Sequence, residues 1–475
     1  MSGIDIVPMF GLGVQEKSRV STAQRRVNLY YEIQQDPDRT RMVAYKTPGL
    51  EAPFVDFGDT AVRGVIWPPT SDYVYFVHRG TFWEVNNAGV ATSRGTVGTT
   101  SGKVSLAENG TQIMLVDGTA GWVYNMGTLA FTQIVDPSFP NGARSCAWSD
   151  GFFLAELGNL WYVSDYNDAT GWPGDFAAAE SNPDGIARII VDHQNVHLFG
   201  AQSLEFWENT GSADFPFERI PGTTQEWGCA APNSIAKFDD SLALLAQNRL
   251  GQVIAATVRG YRVERISNHD LEAKWAAYGS FADAVAYSYM LDGHPMYVVS
   301  FPIGGESWLY DGSTGAWSQL KSYGLTRHRS ELHVNYLGRN YVTDYSTGRV
   351  YRLSPEAYTD NGDPIRWEIV GRHVFDGLRK MGIDAFQLDM ETGMALSTGQ
   401  GSDPQVMLRI SHDGGRTWGA ERMRSSGKLG EYKKRLIWRK CGRARDFTFW
   451  AAGSDPVKTA IMGAGIKPRP TKGSS

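Results

Sequence analysis

Short apolar runs along this chain repeatedly end in a glycine-bearing turn and resume as an aromatic-rich run. Seven segments share that form: YVYFVHRGTFWEV about Gly80, IMLVDGTAGWVY about Gly118, FFLAELGNLWYV about Gly158, VHLFGAQSLEFW about Gly200, LALLAQNRLGQVIAATV about Gly251, MYVVSFPIGGESWLY about Gly305 and YVTDYSTGRVYRL about Gly348. Runs of this length bounded by turn residues predict strands, and a glycine between two of them predicts a hairpin. Successive glycines lie 38 to 54 residues apart, about 45 on average. That is the length of one four-stranded propeller blade, roughly 40 to 50 residues. A blade cannot bury both of its faces alone, so blades packed radially share cores and shield one another's edges. A string of ordinary hairpins in paired β-sandwiches would carry the same turns, but nothing in it would demand the period.

The pattern predicts an all-β chain with a six- or seven-bladed β-propeller-like body over 60–363. An N-terminal extended segment with the first strand or strands precedes it over 1–59. An additional C-terminal β-domain is expected over 364–465, where longer alternating strands such as IRWEIVGRHVF and PQVMLRISHDGG replace the short runs, followed by a flexible tail over 466–475. Six and seven blades both remain open, because the last blade of a propeller often takes a strand from the other end of the chain. One helix is expected, in SNHDLEAKWAAYG. Asn268 or Asp270 can cap its free amides, Leu271, Trp275 and Tyr278 share one face, and Gly279 ends it.

Composition agrees with this outline. Aromatic residues make up 12% of the 475, and there are 53 glycines, the mixture that fills pleated surfaces and turns tightly between them. With 42% apolar and 20% charged residues, disorder is excluded, and a formal charge of −5 leaves no overall basicity to suggest a nucleic-acid coat. Cys146, Cys229 and Cys441 are odd in number and widely spaced, which argues against a disulfide framework. The opening MSGIDIVPMFGLGV lacks a basic, then long apolar, leader, and no window reaches eighteen apolar residues, so the expectation is synthesis and folding in a reducing cytoplasm, with no membrane contact.

Candidate chemistry is sparse. Ser411-His412-Asp413-Gly414-Gly415-Arg416-Thr417-Trp418 fits the Asp-box pattern S-x-D-x-G-x-T-W. Its chemistry is structural: Ser411 and Asp413 satisfy turn amides, Gly415 allows a left-handed step, and Trp418 is expected to cap a small core. Because Asp-boxes also decorate sialidases, a glycan-binding or sialidase-like Asp-box propeller is the alternative reading, with Arg219-Ile220-Pro221 as a fragment of the sialidase R-I-P element. Such an enzyme needs an arginine cluster and a Tyr/Glu nucleophile pair, which a single late Asp-box does not supply. We therefore expect no enzyme, and assign no catalytic, cofactor-binding or metal-ligating residue. His193 and His197, both placed in one strand by VDHQNVHLF, are read as ordinary strand histidines on the same sheet face.

Charge distribution says more. Between 416 and 445 there are eleven Lys and Arg against Glu421 and Glu431, a local +9 that leaves −14 elsewhere. In YKKRLIWRKCGRAR, Leu436 and Trp438 share one strand parity and can face a core. Lys433, Lys434, Arg435, Arg439, Lys440 and Arg443 are the candidate patch, expected to project together from one hairpin toward a protein partner or DNA.

Several segments resemble one family in order. Ala23-Gln24-Arg25-Arg26-Val27-Asn28-Leu29-Tyr30-Tyr31-Glu32 with Thr47-Pro48-Gly49-Leu50 looks like the opening of the packaged-DNA stabilisation, or tail-hub, proteins of short-tailed bacteriophages. Arg265-Ile266-Ser267-Asn268-His269, Tyr297–Pro302, Trp308–Asp311, Thr314–Trp317, Asp344–Tyr351, Tyr358-Thr359-Asp360 and the Asp-box continue the likeness. The resemblance implies a virion protein of the phage tail, without catalysis or cofactor, that forms a homo-oligomeric ring similar to a hexamer. It implies a seat below the portal-adaptor (head-to-tail connector) protein, a seal on the packaged genome, attachment of the tail needle or plug and of tailspike or tail fibre, and double-stranded DNA passing through the lumen without sequence-specific binding.

Overall fold

The computed structural model describes residues 5–7, 24–36, 39–179, 184–377 and 379–469, and nearly all of its regular structure is strand. Seven antiparallel sheets follow one another over 62–96, 105–133, 146–178, 186–219, 227–265, 285–320 and 330–354. The glycine of each repeat sits in or beside the hairpin between the second and third strands of its sheet. Gly118, at φ 81°, turns Gln112–Val116 into Gly121–Asn125, and Gly158, at φ 70°, turns Phe152–Leu157 into Leu160–Val163. A side chain at either position would be strained in the left-handed region, so the period of glycines marks the period of blades.

The inner strands touch in sequence. Val62–Ile66 meets Ser105–Glu108, which meets Cys146–Ser149, which meets Ile186–Asp192; in the fifth blade Ala236–Phe238 meets Val285–Leu291, which meets Ser330–Tyr336, and that strand meets Val62–Ile66 again. The last sheet is completed by Gly49–Asp59 from the other end of the chain, antiparallel to Thr347–Ser354, with Gly49 opposite Ser354 and Asp59 opposite Thr347. Arg349–Asp56 at 2.9 Å and Arg352–Glu51 at 3.3 Å cross that seam. Borrowing this strand pairs the edge that an open ring would leave exposed. Aromatic layers fill the gaps between blades: Tyr75, Phe82 and Tyr124 between the first two, and Trp161, Phe217 and Trp207 between the third and fourth.

The helix runs His269–Trp275, with Asn268 rather than Asp270 as its cap: Asn268 Oδ1 accepts the Leu271 amide at 3.0 Å. Gly279, at φ 84°, follows the last turn. Leu271 and Trp275 are fully buried against Phe301, Trp308 and Trp317.

Beyond the ring stand two packed sheets. One has the order Leu29–Asp36, Arg39–Lys46, Ala460–Arg469, Met381–Met390, Leu436–Ala444, with Asp5–Val7 against Ala460–Arg469. The other orders Trp367–Val370, Asp446–Gly453, Gln405–Ser411, Arg422–Ser425 and continues into the sixth blade through Arg25–Val27. That strand pairs parallel with Ala316–Leu320 and antiparallel with Trp367–Val370, making one ten-stranded sheet of blade and sandwich. Arg26, buried beside it, donates to the Trp317 carbonyl at 2.7 Å and stacks over Tyr31. Leu29, Tyr31, Phe386, Leu408, Trp438, Phe447, Phe449 and Ile461 form the core between the two sheets.

Two expectations change. The N-terminal segment supplies four strands, Asp5–Val7, Arg25–Val27, Leu29–Asp36 and Arg39–Lys46, to the two packed sheets before it reaches the propeller, and Leu29, Tyr31 and Ala44 extend the apolar face of Phe386's own sheet against Ile369, Leu408 and Phe449. The tail expected from 466 is strand through Arg469, since Ile466 is buried and its segment pairs with Met381–Met390. Residues 470–475 and most of the first 23 lie outside the described residues.

Candidate functional site

The Asp-box lies in the turn between Gln405–Ser411 and Arg422–Ser425. Ser411 is fully buried; its hydroxyl donates to Asp413 Oδ1 at 2.7 Å and accepts the Gly415 amide at 2.8 Å. Asp413 accepts the Thr417 hydroxyl at 2.6 Å and the amides of Thr417 at 2.9 Å and Arg416 at 3.1 Å. The Thr417 hydroxyl and amide, with the Ser411 hydroxyl, hold this carboxyl well below the usual carboxylate range. Gly414 and Gly415, at φ 71° and 82°, allow the turn. The Trp418 ring is partly buried against a small cluster of Val370, Met407, Trp450 and Ala452, separate from the main core of the sandwich.

The box is joined to the basic strand. His412 Nε2 donates to the Cys441 carbonyl at 2.9 Å, and the backbone of Asp413 pairs in a parallel bridge with that of Asp446, at the start of the following strand. Leu436–Ala444 is the last strand of its sheet, and side chains from Arg422–Ser425 reach its backbone: Arg424 Nε donates to the Ile437 carbonyl at 3.3 Å and the Arg422 guanidinium to the Arg439 carbonyl. In return the Trp438 indole donates to the Arg422 carbonyl at 2.8 Å. Two of the eleven cations therefore stitch the two sheets together.

The six candidate cations do not project from one point. Lys433, Lys434 and Arg435 occupy the exposed loop before the strand, and Lys434 pairs with Glu431 at 3.0 Å. Arg439 and Lys440 stand at a bulge, where Ala385 faces Arg439 but Ile383 faces Gly442, and Lys440 takes φ 58°. Leu436 and Trp438 point inward as their parity requires. Cys441 is buried out of turn at the bulge, and beyond it the earlier parity resumes, with Arg443 exposed and Ala444 buried. The strand spans about 26 Å at ~3.3 Å per residue, so the charge forms a stripe. Among the described residues, Lys433, Arg435, Arg439, Lys440 and Arg443 have no carboxylate within ion-pair distance, and Leu429 and Tyr432 are exposed beside the loop.

His193 and His197 do not share a strand. His193, at φ 48°, forms the turn after Ile186–Asp192 and lies between Asp192 and Asp240, both at 2.9 Å, whereas His197 is buried in Asn195–Gly200. Polar turn residues at Asp192–Gln194 were the signal for that break. All three cysteines are buried and free. Among the described residues no group of three or more His, Cys, Asp or Glu could hold a metal ion, and no helix is long and apolar enough to cross a membrane.

Comparison with known proteins finds two adjoining family matches. The model of the "Bacteriophage P22 Gp10, beta-propeller" family matches residues 6–358 and that of the "Bacteriophage P22 Gp10, beta-sandwich" family residues 366–468. The tail hub protein gp10 of Salmonella phage P22 is 24% identical over 409 residues, covering 81% of this chain and 82% of that protein. Among solved structures, the extracellular domain of BT4673 from B. thetaiotaomicron gives a TM-score of 0.45 at 8% identity, over 73% of this chain and 44% of the other. A chain of the mitotic checkpoint complex gives 0.41 at 11% identity, over 68% and 93%. These two likenesses add nothing to the assignment. Matched across both its propeller and its sandwich, the chain belongs to the bacteriophage P22 Gp10 family of tail-hub proteins.

Proposed function

We propose that this chain is a structural hub of a short phage tail. In this reading it acts without catalysis, as a homo-oligomeric ring, similar to a hexamer, below the portal-adaptor ring. It seals the packaged genome and offers attachment surfaces to the needle or plug and to tailspikes. The observation that carries the reading is the match of both domains to one tail-hub family. The ten-stranded sheet supports it, because a propeller and a sandwich sharing backbone hydrogen bonds through Arg25–Val27 suit a part that transmits force between neighbours. Asp413 also fits a structural role, since turn donors occupy both of its carboxylate oxygens.

In the same reading the basic stripe docks against an acidic collar of the adaptor. A lumen that conducts DNA should not grip phosphates, and each contact to them would make passage salt-dependent. Ring symmetry multiplies the stripe by the number of copies, and Leu429 and Tyr432 add an apolar component beside it. Reversing Lys433, Arg435 and Arg439 to Glu tests this with DNA-filled heads that lack tails. The variant should keep its circular dichroism and melting temperature but fail to attach and retain DNA. Normal attachment with a changed ejection rate would move the stripe to the lumen, and no change in either would leave it a solvated face.

A further inference from the structure

The propeller axis encloses a polar cavity unrelated to the basic stripe. Its outer chamber, about 760 Å³, is walled in part by Lys103, Arg144, Glu156, Asp184, Arg188 and Asn233. An inner chamber of about 300 Å³ between the first strands of the blades shares Lys103, Arg188 and Asn233 with it and adds Arg63.

Carboxylates of the outer chamber are already engaged. Asp117 accepts the amides of Thr119 at 2.9 Å and Ala120 at 2.8 Å, and Asp184 accepts the Gln202 amide at 2.6 Å and the Ser203 hydroxyl at 3.0 Å. Glu156 accepts the amides of Arg144 at 2.9 Å and Ser145 at 3.1 Å. Two of the cations are engaged as well. Arg63 donates to the carbonyls of Arg79, Thr99, Ser101 and Gly102, each at 2.7 Å, and Lys103 pairs with Glu331 at 2.9 Å.

Arg188 and Arg144 are different. The hydrogen bond of Arg188 is from Nη1 to the neutral Asn233 Oδ1 at 3.2 Å; its Nε is buried without an acceptor, and among the described residues no carboxylate lies within ion-pair distance. The groups that act on it electrostatically are the Cys229 and Cys146 thiols, which burial keeps protonated and which therefore supply no charge. Arg144 presents an exposed guanidinium, unpaired among the described residues, on the wall of the same chamber. A guanidinium stays charged at any physiological pH, and the half-buried Arg188, with its Nε shut off from water, has no counter-charge beside it. Its planar fork of donors matches phosphate or carboxylate oxygens.

We propose that the axial cavity of the propeller binds a small multivalent oxyanion, phosphate or carboxylate, seated on the Arg188 guanidinium and the Asn233 amide, with Arg144 closing the outer side. The chamber is of the size that takes small ligands and far too small for a DNA duplex. Isothermal titration of the full chain with sodium pyrophosphate, and separately with citrate, at fixed ionic strength tests it. Saturable binding of one anion per chain is expected, weakened about ten-fold by Arg188→Gln, the loss of one charge-assisted hydrogen bond. Arg144→Gln should weaken it too while leaving the melting temperature of the unliganded protein unchanged, and because Arg144 is exposed this variant keeps the test decisive if Arg188→Gln misfolds. Preference between the two anions assigns the phosphate or the carboxylate source. No saturable heat with either anion, or a dissociation constant that neither substitution changes, overturns the site.

Discussion

Asn28 and Lys321 are joined by two hydrogen bonds that run in opposite directions: Asn28 Nδ2 donates to the Lys321 carbonyl at 2.9 Å, and Asn28 Oδ1 accepts the Lys321 amide at 2.9 Å. The same Nδ2 also donates to the Arg366 carbonyl at 2.8 Å. Lys321 leaves the sixth blade and Arg366 enters the sandwich, so one buried side chain, held at φ 52°, fastens the two domains where the N-terminal strand passes between them. Asn is among the few side chains that tolerate this conformation.

Asn28→Ala should therefore cost about 2–4 kcal/mol, because it leaves buried backbone groups unpaired and puts a Cβ without compensation in the left-handed region. In urea melts followed by tryptophan fluorescence, we expect a lower midpoint and a second transition as the sandwich uncouples from the propeller. A single transition at the wild-type midpoint would show that the fastening is redundant.

Residues 364–475 alone should not fold, because the fragment lacks Arg25–Val27, Leu29–Asp36 and Arg39–Lys46 and exposes the core face of Phe386 and Phe449. Fusing 24–47 through a glycine-serine linker to 366–469 should restore cooperative thermal unfolding by circular dichroism. Cooperative melting of the bare fragment would contradict the strand assignment.

Within the Asp-box, Asp413→Ala should cost about 0.5–2 kcal/mol, as loss of a helix cap does, since the carboxylate is exposed and its partners can turn to water. Trp418→Ala should cost about 1–3 kcal/mol, less than the 3–5 of a fully buried ring, because Trp418 is only partly covered. With its folded pKa depressed, the Asp413 contribution is present above the ordinary carboxylate value near 4 and is lost as pH falls below it. The difference in midpoint between wild type and Asp413→Ala should accordingly shrink in melts at pH 3 compared with pH 7.

Glu156 titrates in the opposite sense. Burial pushes it up to about 7, so the folded state binds a proton that the unfolded chain has released, and stability declines as pH rises from about 4.5 to 7 and levels above that. Glu156→Gln keeps an oxygen to accept the Arg144 and Ser145 amides. It should remove part of that decline, gaining on the order of 1–2 kcal/mol at pH 8 relative to pH 4. Parallel melting-temperature profiles for the two proteins would refute the shift.

Features written in neighbouring residues were legible from the chain itself. The seven glycine turns each join strands a few residues apart, the Asn268 cap acts on Leu271 three positions on, and the Asp413 turn closes within four. Such elements depend on local backbone geometry, so composition and spacing suffice to find them, and the order of motifs along the chain was enough to suggest the family. What pairs across hundreds of residues leaves no local period. Val27 beside Gln319 and Gly49 opposite Ser354 were settled only when the ring closed and the N-terminal strands joined the sandwich. The stripe of cations was visible as a count, but its shape was decided by one bulge at Lys440, where pairing with Met381–Met390 slips and Cys441 turns inward. Arg188 stands in the apolar run IARIIVD without any motif, and Lys103, Arg144, Arg188 and Asn233 come from different blades and connections. Only radial packing places them around one axis, because a cavity is a property of the closed ring and of no single strand in it.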